Sequence, residues 1–177
     1  MVATNTAEQS LPEPWLRGTL TDVRAVPRAV LHALELARED LSRWCGNLTD
    51  DEINARPARL PPVAFHLRHI ARSLDRLLTY AEGHDLREEQ LAELKHEQDP
   101  VANSQQLSVE LNTAIEKSVA RVRALDASKL EESRKVGKKQ LLTTLGGLLV
   151  HIADHTQRHT GQAITTAKFL LAARTTP

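Results

Sequence analysis

The strongest constraint in this chain is a spacing. Over four long stretches the apolar residues return every three or four positions, without one-by-one alternation. Val30, Leu34, Ala37, Leu41 and Trp44 do so after Pro27, a proline well suited to the first turn of a helix. Val63, Leu67, Ile70, Leu74, Leu77 and Ala81 repeat it from about Pro62 to Glu82, with Gly83 as the stop. A third run, Leu107, Leu111, Ile115, Val119, Val122 and Leu125, spans Ser104 to Asp126. A fourth begins near Leu141 and continues to about Ala172, with Gly161 as a candidate bend. Amphipathic helices of this length bury their apolar stripes on one another, which predicts an all-α four-helix bundle.

Between these runs the chain changes character. Residues 1–18 are broken by Pro12 and Pro14 and read as an N-terminal arm whose Trp15 packs onto the body formed by residues 19–177. Asn47 to Pro62 reads as a connection with room for a short helical turn. Residues 84–100 are highly charged, a short helix or loop ended by Pro100, and 127–140 form a basic connection containing Gly137. The two longest connections lead into helices two and four.

Composition removes several classes of function. Lys+Arg and Asp+Glu both number 23 in 177 residues, so no global field favours a polyanion, and nucleic acid is not the expected partner. The run Arg134-Lys135-Val136-Gly137-Lys138-Lys139 has no interleaved aromatic residue and reads as an exposed loop. A single cysteine, Cys45, has no internal partner and reads as a small buried hydrophobe. No apolar run approaches the ~18 residues of a membrane span. The first residues lack the basic and apolar regions of a signal peptide, so a cytoplasmic location is expected. A bundle of this kind can form a homodimer through an exposed apolar strip.

The eight histidines carry the chemistry. The inward line of the last helix runs Leu141, Leu145, Leu148, Ile152, His155, His159, Gln162, Thr166, Phe169. Two imidazoles and an amide stand where the spacing asks for leucine. Buried without partners, each such group costs ~1–3 kcal/mol. Residues four apart share a helical face, so His155 and His159 can offer two nitrogens to one cation. The rival account is a pair of core histidines bonded to carbonyls and to each other. A zinc-protease motif is excluded, because residue 156 is threonine where that motif needs glutamate. Helix two supplies further ligand candidates in His66 and His69. The helical wheel does not choose cleanly between them, and spacing alone leans to His66. His151 stands near the edge of the inward face; it could ligate, but a packing or supporting role is expected. His32 lies off the seam of helix one, and His84 and His96 fall in the charged connection.

The stretch His151-Ile152-Ala153-Asp154-His155-Thr156-Gln157-Arg158-His159-Thr160-Gly161-Gln162 resembles the last-helix signature of the DinB/YfiT-like superfamily. His69-Ile70-Ala71-Arg72-Ser73 resembles that family's helix-two motif, a histidine followed by an aliphatic and a small residue. The order matches as well, and the resemblance covers residues 25–172. It implies a four-helix bundle with three histidines facing a cavity. It also implies a divalent metal ion, zinc or nickel, held on His69, His155 and His159, and so replaces His66 by His69. Thr160 departs from the family, which usually has arginine there. Characterised relatives are thiol-dependent, so the resemblance implies a transferase or hydrolase acting on a small-molecule substrate, with a low-molecular-weight thiol as co-substrate. The alternative is a non-enzymatic interaction or stress-response module whose metal is structural or absent. Asp75, Arg76 and Arg72 read as a solvated face with local ion pairs. Asp154 points about 100° away from His155, which argues against a role as general base. Gln162 is expected to bond a ligand or a neighbouring helix.

Overall fold

A computed structural model describes residues 11–101 and 103–174. The chain is mostly helical. Six helices are described: α1 (Ala25–Cys45), α2 (Asp50–Asn54), α3 (Val63–Ala81), α4 (Glu88–Leu94), α5 (Ser104–Ala124) and α6 (Leu145–Ala173). Two strands, β1 (Ser133–Val136) and β2 (Leu141–Thr144), pair as an antiparallel hairpin. The four long helices α1, α3, α5 and α6 match the four sequence repeats. In space α3 and α1 each pack on both α5 and α6. Among the described residues no helix is long and apolar enough to cross a membrane.

The predicted stripes form the core. Val30, Leu34, Ala37 and Leu41 of α1 are buried against Leu67, Ile70, Leu74 and Ala81 of α3, Leu107, Leu111, Ile115 and Val122 of α5, and Leu148, Leu149 and Ile152 of α6. The helix ends follow from local chemistry. Asn103 accepts from the Gln106 amide at the start of α5, and Thr144 accepts from the Gly147 amide at the start of α6. After α3, Gly83 takes a φ of +86°, a left-handed turn that costs glycine nothing. The expected helical turn in the first connection is α2, closed by a capping box between Thr49 and Glu52. The charged connection holds α4.

Three expectations need correction. The last helix starts at Leu145, not near Leu141, because residues 141–144 belong to the hairpin. Ser133 faces Thr144 and Val136 faces Leu141, with Gly137 at φ +70° in the turn, so the basic connection is partly a strand. Leu141 is 64% exposed, and at the far end of the expected inward line Gln162 and Phe169 are exposed too. The buried line of α6 is instead Leu145, Leu148, Leu149, Ile152, Thr156, Thr160, Ala163, Thr166 and Ala167. It is offset by one residue from the predicted line over the second half. The third correction concerns the arm. Trp15 is 62% exposed, its Nε1 donating to Glu13, while Pro14 is the buried residue of that segment. Residues 1–10 of the arm lie outside the described residues. Helix α6 continues through Gly161 as one element.

Candidate metal centre

Helices α3 and α6 lie side by side and bring the histidines together. His66, His69 and Ser73 recur along one strip of α3, and His155 and His159 stand one turn apart on α6. The offset along α6 has a consequence. Thr156 and Thr160 occupy the innermost line, and the two histidines stand half-buried beside it, at the α3 side of the helix. They flank the core; they do not fill it.

His69, His155 and His159 each offer a ring nitrogen within 4.8 Å of the others. The Nε2 atoms of His69 and His155 are 3.2 Å apart. Two imidazoles on a tetrahedral zinc at ~2.0–2.1 Å would have their nitrogens ~3.3–3.4 Å apart, so this pair already has the spacing a shared cation requires. The donor set fits as well, since imidazole is a preferred ligand of zinc and nickel. Among the described residues these three rings have no backbone carbonyl partner. Their partners are other imidazoles, Ser73 and one carboxylate.

His66 is placed differently. Its ring is 2% exposed, its Nδ1 is 3.1 Å from Nδ1 of His159, and its Nε2 is buried without a partner. The helix-two histidine that joins the cluster is His69, and His66 supports His159 from behind. His151 is exposed, with its ring 5.4 Å from that of His155. His32 is buried against Thr19, off the cluster, and His84 and His96 are exposed as expected. Phe65 stacks on His69 at 5.3 Å and closes that side of the site.

The surroundings favour the neutral form of His66, His155 and His159. Burial, followed by the neighbouring imidazoles, lowers His66 to about 4. Burial and the adjacent rings, with Arg158, likewise bring His155 to about 4. His159 is lowered to about 4 by burial, His69 and Arg158, against an opposing pull from Glu97. Neutral imidazole is the form that ligates a cation.

Glu97 is the residue that sequence reasoning missed. It sits just after α4, in the segment read only as charged, yet it is 4% exposed. Its Oε2 accepts from Nδ1 of His69 at 2.6 Å, and its Oε1 lies 2.6 Å from a guanidinium nitrogen of Arg76. Burial works against its ionisation, but His69 and Arg76 outweigh that and hold the carboxyl below its ordinary value. Arg76 is therefore buried in an inter-element pair, a correction to the solvated face expected for it. Asp75 likewise reaches other elements, accepting from Arg121 of α5 at 2.6 Å and from Gln90 of α4 at 2.6 Å. Arg68, Arg72 and Arg76 form a row one turn apart, but Asp75 stands three residues from Arg72, so the sequence did not by itself call for a carboxylate from another segment.

A cavity of about 420 Å³ is lined by Leu60, Pro61, His66, Arg158, Gln162 and Thr165 among others; it meets the cluster through His66, and none of His69, His155 and His159 lines it. Asp154 pairs with Arg158 one turn along α6 and does not enter the cluster. Cys45 is buried and its thiol is pushed up to about 12 by that burial, consistent with a packing role.

The fold and the cluster define a mostly helical protein whose long helices gather three imidazoles within reach of one cation. Residues 33–163 match the DinB superfamily, and the chain belongs to it. Among solved structures it is similar to a conserved protein from Enterococcus faecalis. The TM-score is 0.68 at 22% identity, over 85% of this chain and 99% of the other, which shows a shared fold. No curated protein matches the chain.

Proposed function

We propose that this chain is a metal-dependent enzyme of the DinB superfamily that holds one divalent cation, zinc or nickel, on His69, His155 and His159. On this reading the four long helices form the family's bundle. The observation that carries the reading is the convergence of three imidazoles, two of them kept neutral by burial, with the third backed by a buried carboxylate. Three protein ligands leave a tetrahedral ion one position short, which is the arrangement of catalytic sites as opposed to structural ones. A cation there supplies Lewis acidity, lowering the pKa of a thiol or water that approaches it.

The residues of the chain do the rest. His159 is held by His66, and His69 by Glu97 with Phe65 stacked on its face, so the rings are oriented before any ligand arrives. The cavity that His66 lines presents Arg158 and Gln162 next to apolar Leu60 and Pro61, a lining that suits a small molecule with a polar and an apolar end. On this basis the reaction is a thiol-dependent transfer or a hydrolysis, with a low-molecular-weight thiol as the co-substrate in the first case. The non-enzymatic alternative draws on one observation, that the rings can also bond one another as His66 does His159.

Equilibrium dialysis against zinc and nickel, with elemental analysis of the wild type and the three single alanine variants, tests the assignment. Near-stoichiometric metal in the wild type and its loss in His69→Ala, His155→Ala and His159→Ala is the expected result. Stoichiometric metal in all three variants would remove these residues from the site, and a metal-free wild type would leave the non-enzymatic reading.

A further inference from the structure

We propose that Glu97 is a positioning residue for the metal centre, fixing which nitrogen of His69 faces the cation and bringing the α4–α5 connection into the site. The inference rests on the metal reading above, and it names the part of the chain outside the two histidine helices on which that site depends.

An imidazole can offer either nitrogen to a metal, and the hydrogen bond made by the other one decides. At His69 the choice is made by geometry. Nδ1 lies 2.6 Å from the Glu97 carboxylate, while Nε2 points to Nε2 of His155 at 3.2 Å. An ionised carboxylate only accepts, so the geometry commits the Nδ1 hydrogen of His69 to Glu97 and leaves Nε2, inside the cluster, as the nitrogen that can face a cation. A histidine backed in this way is also a more basic ligand.

The placement of Glu97 is built. A buried carboxylate is costly unless it is paired, and here one oxygen bonds His69 while the other lies 2.6 Å from a guanidinium nitrogen of Arg76, an ion pair outside hydrogen-bonding geometry. The backbone that carries it is clamped from the same helix. Arg68 donates to the carbonyls of His96 and Asp99, on either side of Glu97, and Arg72 donates to the carbonyl of Glu93. Three arginines on successive turns of α3 thus hold one short segment over the helix that bears His69. A carboxylate there only to pair with Arg76 would not need its second oxygen on a histidine of the cluster.

The experiment uses the full chain with Glu97→Gln and Glu97→Ala. Zinc affinity is measured by competition with a chromophoric chelator, and the His69 ring is read by nitrogen-15 NMR on metal-free wild type. The expected result is a proton on Nδ1 of His69 without metal, an affinity loss of about 10–100-fold in Glu97→Ala, and a smaller loss in Glu97→Gln, which keeps an acceptor but not the charge. Thermal melts of the metal-free variants report folding separately, and if Glu97→Ala does not fold the glutamine variant and the ring assignment decide. A proton on Nε2 of His69, or an unchanged zinc affinity in a folded variant, would overturn the proposal. A wild type that takes up no zinc would instead overturn the metal reading, leaving the ring assignment as the arm that judges Glu97.

Discussion

Burial holds His66, His155 and His159 neutral, and this also sets how the protein responds to acid. His66, His155 and His159 are lowered to about 4 by burial and by one another, against 6.5 for an ordinary histidine. Between those two values the unfolded chain binds protons that the folded chain refuses. Stability therefore falls as pH drops from about 6.5 towards 4 and is flat above that window. Thermal melts from pH 4 to 8 on metal-free protein should show this slope, and a His66→Phe variant should flatten part of it. Zinc uptake should weaken over the same range, because protons and metal compete for the same nitrogens. At this scale His155 and His159 were legible from the sequence, because polar residues in an apolar repeat stand out. His69 was distinguishable from His66 only through the family motif. Glu97 was not legible, since its role depends on a contact 28 residues away in sequence and on three arginines whose partners the sequence does not name.

Elements were read well where a period ran long and poorly where it ran short. The four helical repeats each matched a helix, whereas Leu141 and Leu142 extended the last repeat by one turn and misled it. Both are exposed, at 64% and 76%, and belong to a strand of four residues, too short for alternation to show. Thr143 and Thr144 are the β-branched residues that favour the strand, and Thr144 then caps the helix that follows. Removing that cap with Thr144→Ala should cost about 1 kcal/mol in urea denaturation, with no change in metal content. Gly83→Ala, forcing a side chain into a left-handed turn at φ +86°, should cost about 1 kcal/mol or more by the same measurement.

For the whole molecule the core and the site are separable. Leu34 and Leu74 are fully buried on α1 and α3, and truncating either to alanine should cost about 2–5 kcal/mol. The metal reading adds a second source of stability: zinc at 100 times its Kd should stabilise the chain by about 2.7 kcal/mol, and a chelator should remove that gain. In His155→Ala the melting point should no longer respond to zinc, while Leu74→Ala should melt lower but keep its response. The most direct trial of the central claim is anomalous scattering from crystals grown with zinc and, separately, with nickel. The account predicts one peak, bonded to Nε2 of His69 and His155 and to a ring nitrogen of His159. Metal-replete crystals with no peak among those three rings, or with the ion held elsewhere, would contradict it.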